Sequence, residues 1–254
     1  MNLLVIILAI LPIFLIFTYF YKKDTQKEPK KLLQKLFLSG FLSAILTIAV
    51  TFIIFIIFPE YINIENANLF KVFIYSFIFV ASIEEVCKWL MIYKVSYNHK
   101  EFDQFYDIVL YSVLVSLGFA CFENLLYVIE NDNGLLIAVF RSITAVPAHA
   151  CFGTFMGYYL SLSKFKEKQN KNKHFILSLL IPIILHGTYD FFLLSGNIIL
   201  VCTFLIFIVS MFIFTILKIK KTIKIDEEIL KNNNCPNCSV LIKYKFCPNC
   251  GYKK

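Results

Sequence analysis

Seven apolar segments of membrane-spanning length set the fold of this 254-residue chain. The hydrocarbon core of a bilayer is about 30 Å thick, and a helix needs about 20 apolar residues to cross it. The chain is 59% hydrophobic with a mean hydropathy of +0.72, which excludes an ordinary soluble domain. We therefore predict an all-α, polytopic transmembrane helical bundle, with spans at roughly 2–21, 36–58, 71–94, 106–129, 135–162, 175–194 and 198–218.

Lysines are concentrated in alternate loops. The loop 22–35 has six, the loop 164–173 has five and the chain from Lys218 onward has nine, whereas 59–70 and 130–134 have none. Basic loops stay in the cytoplasm, so we predict a cell-membrane protein with an extracytoplasmic N-terminus and a cytoplasmic C-terminus. The net charge of +8 is then a signal of topology, and no nucleic-acid partner is expected.

Four cysteines near the C-terminus have the spacing of a small zinc ribbon. The chain reads Cys-Pro-Asn-Cys twice with eight residues between, and the cysteines are Cys235, Cys238, Cys247 and Cys250. Four thiolates complete the tetrahedral shell of one zinc ion and leave no open position, so this zinc would be structural. A reducing cytoplasm disfavours the alternative of two disulfides. The partner of the ribbon is unknown.

Ionisable residues lie inside the predicted spans, where a central Asp, Lys or Arg costs about 2.5–3.5 kcal/mol on insertion scales. In the third span Glu84 and Lys88 are one helical turn apart, and Glu85 is also a neighbour of Lys88. Lys88 can neutralise one carboxylate and leave the other as a general base toward water. Adjacent positions diverge by about 100° on a helix, so the two glutamates cannot do the same job. The alternative is a charge-balanced cluster that holds helices together.

Glu123, Arg141 and His149 add three more polar groups to later spans. Arg141 is the only arginine against 24 lysines, which indicates that guanidinium geometry matters at this position. It could pair with Glu123 or bind a substrate carbonyl. Glu123 could also be an interfacial acid, and His149 a packing residue.

His186 and Asp190 are four residues apart on one helical face, so the carboxylate could orient the ring or share a metal with it. By position in their spans, Glu84, His149 and His186 are central, whereas Glu123 and Asp190 are closer to the outer face. We expect the set to converge on one water-accessible cavity that opens outward.

In their order and spacing these motifs resemble the PrsW family of intramembrane proteases, relatives of the type II CAAX prenyl endopeptidases. The resemblance covers about residues 1–220, and its pieces are Glu84-Glu85-x-x-Lys88, Phe119-x-x-x-Glu123-Asn124, His149 with Gly157, and His186-Gly187-x-x-Asp190. With the outward-opening cavity, it implies cleavage of a single-span membrane protein in, or just outside, the outer leaflet of the lipid bilayer, near the extracytoplasmic juxtamembrane region of the substrate. It further implies site-1 cleavage of an anti-sigma factor in envelope-stress signalling.

The resemblance also implies roles for these residues. Glu84 or Glu85 would activate water, with Lys88 as charge partner and Asp190 as a further catalytic group. Glu123, His149 and His186 would bind a catalytic divalent metal, with zinc expected from the donor types. Arg141 and Asn124 would bind the substrate or its oxyanion. Glu123 stands where the prenyl endopeptidases have a histidine, and a metal-free scheme with a glutamate base and His and Asp donors stays open.

Two other classes of function stay open. An ion- or proton-coupled transporter would use the same groups as a relay and would give flux without a peptide product. A non-enzymatic scaffold or sensor would act through the ribbon, and deletion of 232–254 would abolish its function. The interpretation that we favour is a transmembrane protease-like domain at 1–220, a charged linker at 221–234 and the zinc ribbon at 235–254.

Overall fold

A computed structural model describes residues 3–65, 67–165, 170–233 and 249–250. In these residues the chain is helical with short connections, and they contain no strand. The helices are α1 (Leu3–Lys23), α2 (Lys30–Ile57), α3 (Leu69–Ile74), α4 (Ile83–Ile92), α5 (Phe105–Glu130), α6 (Gly134–Ile143), α7 (Ala145–Phe165), α8 (Lys171–Leu194) and α9 (Ile198–Asn233). The predicted all-α, polytopic bundle is confirmed.

Six helical stretches of the described chain are long and apolar enough to cross a membrane: α1, α2, α5, α6 together with α7, α8, and α9. They correspond to six of the seven predicted spans. The third predicted span, 71–94, lies within one continuous helical segment, 69–97, that changes between α-helical and π-helical geometry along its length. Two π-helical runs, Tyr75–Ser82 and Tyr93–Tyr97, flank α4. Because wide turns rotate the residues that follow them, these runs set the directions in which the α4 side chains point.

Helix α5 lies at the centre of the bundle, with 94% of its most apolar stretch buried. Helices α2 and α7 approach it through glycines. A Cβ atom at Gly40 of α2 would overlap the Val115 carbonyl, and one at Gly157 of α7 would lie 2.5 Å from the Cα of Val109. Close backbone approach of this kind supplies the dispersion contacts that hold helices together in lipid. It fixes the position of α5, which carries Glu123.

The outer helices expose apolar side chains along their length. Phe52 on α2 is 67% exposed, and Ile206 on α9 is 74% exposed. Such a surface would be a liability in water. Against lipid tails it is the expected outside of a membrane protein, since the backbone polar groups are satisfied within the helices.

One end of the bundle gathers the lysine-rich connections, and we call it the basic end. There the carboxylate of Asp226, late in α9, accepts hydrogen bonds from the backbone N–H groups of Phe105 and Tyr106, each at 2.8 Å. This caps the start of α5. Thr25, in the connection between α1 and α2, donates to Gln104 at 3.1 Å. Residues 221–233 are the last turns of α9, in which Thr222 and Asp226 are buried.

Most of the predicted zinc ribbon lies outside the residues that the structure describes. Cys235, Cys238 and Cys247 lie outside the described part of the chain. The ribbon and its structural zinc therefore stay predictions.

Candidate active site

The ionisable residues predicted from the sequence come from five helices and meet in the interior of the bundle. Glu84, Glu85 and Lys88 lie on α4, and the other helices are α5, α6, α7 and α8. A cavity of about 780 Å³ lies beside them, lined by Glu84, Glu123, Arg141, His149, His186 and Asp190 among other residues. The predicted convergence on one cavity is what the structure shows.

Lys88 is the centre of the buried network, and its side chain is 0% exposed. Its ammonium group lies 2.8 Å from Glu85 Oε1 and 3.2 Å from Glu84 Oε2. It also lies 3.1 Å from His149 Nδ1 and 3.8 Å above the ring centroid of Phe119. An ammonium group has only donors, so Nδ1 of His149 accepts, and its ring proton lies on Nε2.

His149 is therefore engaged at both ring nitrogens. Its Nε2 donates to Glu123 Oε2 at 2.8 Å, opposite the contact with Lys88. Neither nitrogen has a lone pair left for a metal in this arrangement. The structure places His149 as a bridge between the Lys88 and Glu123 groups.

His186 bridges the carboxylates on the other side. Its Nδ1 lies 2.9 Å from Glu85 Oε1, and its Nε2 lies 3.3 Å from Asp190 Oδ2 and 3.9 Å from Glu84 Oε2. The two glutamates differ in surroundings, because Glu84 lines the cavity whereas Glu85 is fully buried. Different surroundings for the two side chains are what the divergence of adjacent positions on a helix predicts.

Glu84, Glu85 and His186 have donor atoms within 4.8 Å of one another, which is close enough for one metal ion. In the described residues this group lies close enough to hold one ion, whereas the predicted set of Glu123, His149 and His186 stays a prediction. Oxygen and imidazole donors suit zinc and related divalent metals. One oxygen of Glu85, Oε2, is buried and has no hydrogen-bond partner in the described chain.

The charges of the cluster also favour a bound cation. The described cluster has four carboxyl groups against one lysine and one arginine, together with two histidines, and its members are Glu84, Glu85, Glu123, Asp190, Lys88, Arg141, His149 and His186. Buried charges are stable only when they are paired. A divalent cation beside Glu84 and Glu85 would balance the surplus, so the residues fit the metal.

Arg141 pairs with Glu123 at 2.8 Å between Nη2 and Oε2, which is one of the two roles that the sequence left open for it. Its Nε donates to Asn124 Oδ1 at 2.7 Å, and its guanidinium lies 4.0 Å from the ring centroid of Tyr127. Asn124 in turn donates to the Ala9 carbonyl at 3.2 Å. Asn124 thus orients Arg141, a planar fork that lysine could not replace.

Several aromatic residues of the site were missed from the sequence. Tyr75, Tyr127 and Tyr189 line the cavity, and Phe152 stacks on His186 with ring centroids 4.8 Å apart. Phe152 lies three residues after His149 on the same face of α7, and this spacing is a signal that could have found it. Tyr75 begins a π-helical run, so no regular periodicity could have placed it.

A helical membrane bundle that encloses carboxylates, imidazoles and a cavity of this size has the features of an intramembrane hydrolase. The sequence profile of the PrsW family intramembrane metalloproteases matches residues 28–217. The chain belongs to the PrsW family of intramembrane metalloproteases, and it is an enzyme of that class.

Curated relatives agree with the family match. A protein named Protease PrsW from Oceanobacillus iheyensis is 36% identical over 185 residues, which is 73% of this chain and 80% of the relative. Protease PrsW from Bacillus subtilis is 34% identical over 204 residues, which is 79% of this chain and 88% of the relative. Protease PrsW from Halalkalibacterium halodurans is 44% identical over 119 residues, covering 47% and 54% of the two chains. No solved structure matches the chain significantly.

Proposed function

We propose that the chain cleaves single-span membrane proteins near their extracytoplasmic juxtamembrane region, with Glu84 as the base that activates water. The observation that carries this proposal is that Glu84, and not Glu85, lines the cavity. Its Oε2 is held 3.2 Å from the ammonium group of Lys88. The cavity volume of about 780 Å³ lies in the range of sites that enclose a ligand.

In the proposed reaction, water gives a proton to Glu84 as its oxygen attacks the scissile carbonyl carbon. Negative charge then develops on the carbonyl oxygen, and Arg141 is the donor at the cavity wall that stabilises it. Glu85 holds His186 in place through the 2.9 Å contact with Nδ1. When the C–N bond breaks, the proton on Glu84 passes to the departing amine. Asp190 orients His186 from one helical turn away.

We assign a catalytic divalent metal, with zinc as the expected ion, to Glu84, Glu85 and His186. A carboxylate has two oxygens, so Glu84 can bind the ion through one oxygen and accept a proton from water on the other. A metal bound there would supply Lewis acidity toward the scissile carbonyl. The predicted ligands Glu123 and His149 instead position Arg141 and Lys88 in this scheme.

The direction in which the cavity faces supports the substrate class. It extends to Asn131 and Leu194, which follow α5 and end α8 on the side away from the basic end. Basic loops lie in the cytoplasm, so this side is extracytoplasmic in the proposed topology. Cleavage of an anti-sigma factor in envelope-stress signalling is the instance that we propose from the family resemblance. The ribbon would carry a structural zinc on the cytoplasmic side.

Mass spectrometry of new protein N-termini would test the proposal. Membranes would be compared from cells with wild-type protein, Glu84→Gln and the control Glu130→Gln, whose carboxylate is exposed at the end of α5. We expect a short set of extracytoplasmic N-termini with wild type and with the control, and none with Glu84→Gln. Identical sets in all three, under envelope stress as well, would refute the proposal and direct the next assay to ion flux.

A further inference from the structure

Helix α6 forms one wall of the cavity and presents both charged and apolar side chains to it. It has 10 residues and ends at Ile143, and the backbone departs from regular helix at the next residue, Thr144, with φ −117° and ψ −68°. Its inner face packs through Ala138, which is fully buried with Ala9 of α1 and Val128 of α5. Its opposite face carries Leu136 and Phe140, which line the cavity.

Along α6 the cavity wall changes from polar to apolar within one turn. Ile137 and Arg141 are four residues apart and so lie on one face, and both line the cavity. Phe140 is the neighbour of Arg141, and it is 46% exposed. The helix that holds Arg141 against Glu123 therefore also presents a bulky apolar surface to whatever occupies the cavity.

Helix α8 forms another wall of the cavity, which also changes from polar to apolar side chains along the helix. His186 and Asp190 are followed by Leu193 and Leu194, and all four residues line the cavity. Leu193 is one turn after Asp190 on the same face. On both helices, apolar side chains lie next to charged side chains that line the same cavity. The apolar region is therefore a compartment of that cavity and is continuous with the catalytic groups.

The distance from the catalytic groups to this compartment can be converted into a number of residues along a bound peptide. A helix rises 1.5 Å per residue, so Leu193 lies about 10 Å along α8 from His186. An extended chain advances about 3.3 Å per residue. A peptide that places its scissile bond at Glu84 and His186 therefore reaches the Phe140 and Leu193 compartment about three residues away.

We propose that Phe140 and Leu193 form a side-chain subsite that selects a bulky apolar residue about three positions from the scissile bond. The inference rests on the proposed peptidase function and names the specificity of the same site. The occupant is an extended segment of the substrate, because the compartment opens directly onto the groups that would cleave it. A small or charged residue at this position would leave apolar surface uncovered or lose its hydration.

The test uses a library of single-span reporter proteins whose juxtamembrane residues are randomised, expressed with the full-length chain. Cleaved reporters are sequenced at their new N-termini. With wild type we expect enrichment of Leu, Phe and Met over Ala at one position near the cut. Discrimination by an apolar pocket ranges from about 10- to 200-fold. Phe140→Ala and Leu193→Ala should each lower this preference by roughly tenfold.

Two further variants keep the outcome interpretable. Phe140→Trp, which narrows the compartment, should shift the preference toward smaller residues. Ile206→Ala, on the lipid face of α9, should leave it unchanged. An unaltered residue preference in the Phe140 and Leu193 variants, with cleavage retained, would overturn the subsite. Absence of any Glu84-dependent cleavage with wild type would instead refute the peptidase function, and the subsite with it.

Discussion

Substitution of Glu28, in the connection between α1 and α2, should change the stability of the protein by an amount that follows from the raised pKa of this residue. Its side chain is buried at the basic end, near Asp24, Glu101, Asp107 and the hydroxyl of Tyr111. Burial, together with the nearby Asp24 and Glu101 carboxylates, raises the pKa of the Glu28 carboxyl from 4.5 to about 7, although the neighbouring Tyr111 and Asp107 side chains act in the opposite direction. The folded protein therefore keeps Glu28 protonated at a pH where the unfolded chain has lost the proton.

The sign of the effect on stability follows from that difference. Between pH 4.5 and 7 the folded state binds more protons at this site, so the free energy of unfolding falls as the pH rises and levels off above pH 7. The difference between these two pKa values corresponds to about 3 kcal/mol. Glu28→Gln removes the titrating group, so it should stabilise the protein by up to about 3 kcal/mol at pH 8 and by little at pH 4.5.

Thermal unfolding of purified protein in detergent, followed by the fluorescence of Trp89, would measure this. The stabilisation by Glu28→Gln should grow between pH 5 and 7.5 and then stay constant. Glu60→Gln, which removes an exposed carboxylate, should show no such trend. A gain in Tm that is the same at pH 5 and pH 8, or no gain at either, would refute the reasoning.

Three further predictions concern the bundle and its site. Gly157→Ala should lower the free energy of unfolding by about 1–3 kcal/mol, because the new Cβ would overlap α5; an unchanged Tm would contradict this packing. Arg141→Lys keeps the charge but loses the 2.7 Å hydrogen bond to Asn124. A hydrogen bond of a charged group is worth about 1.5–3 kcal/mol, so reporter cleavage should slow roughly 10- to 100-fold, and wild-type rates would show that the guanidinium is not required. Elemental analysis of purified protein should find one divalent ion fewer per chain in Glu85→Gln than in wild type, whereas equal metal content would exclude Glu85 as a ligand.

Much of the fold follows from local properties of the sequence. Membrane spans are set by the length of an apolar stretch, which is a property of contiguous residues, and six predicted spans were confirmed within the described chain. The third span shows the limit of this reasoning. Hydropathy places this span, but it does not predict the π-helical runs on either side of α4, the first of which packs against α8.

The sequence by itself determined the class of protein and picked out the ionisable residues that line the cavity. Ionisable residues in apolar segments are conspicuous because of their energetic cost, so Glu84, Glu123, His149, His186 and Asp190 could be picked out without a structure. Tertiary structure decided how they are arranged. Adjacent side chains diverge on a helix, and only the packing of α4 shows that Glu84 lines the cavity while Glu85 is buried. Likewise, Lys88 and Glu123 occupy both nitrogens of His149, which leaves His186 as the histidine near two carboxylates. Such assignments depend on distances between helices far apart in the chain, and no local pattern specifies those distances.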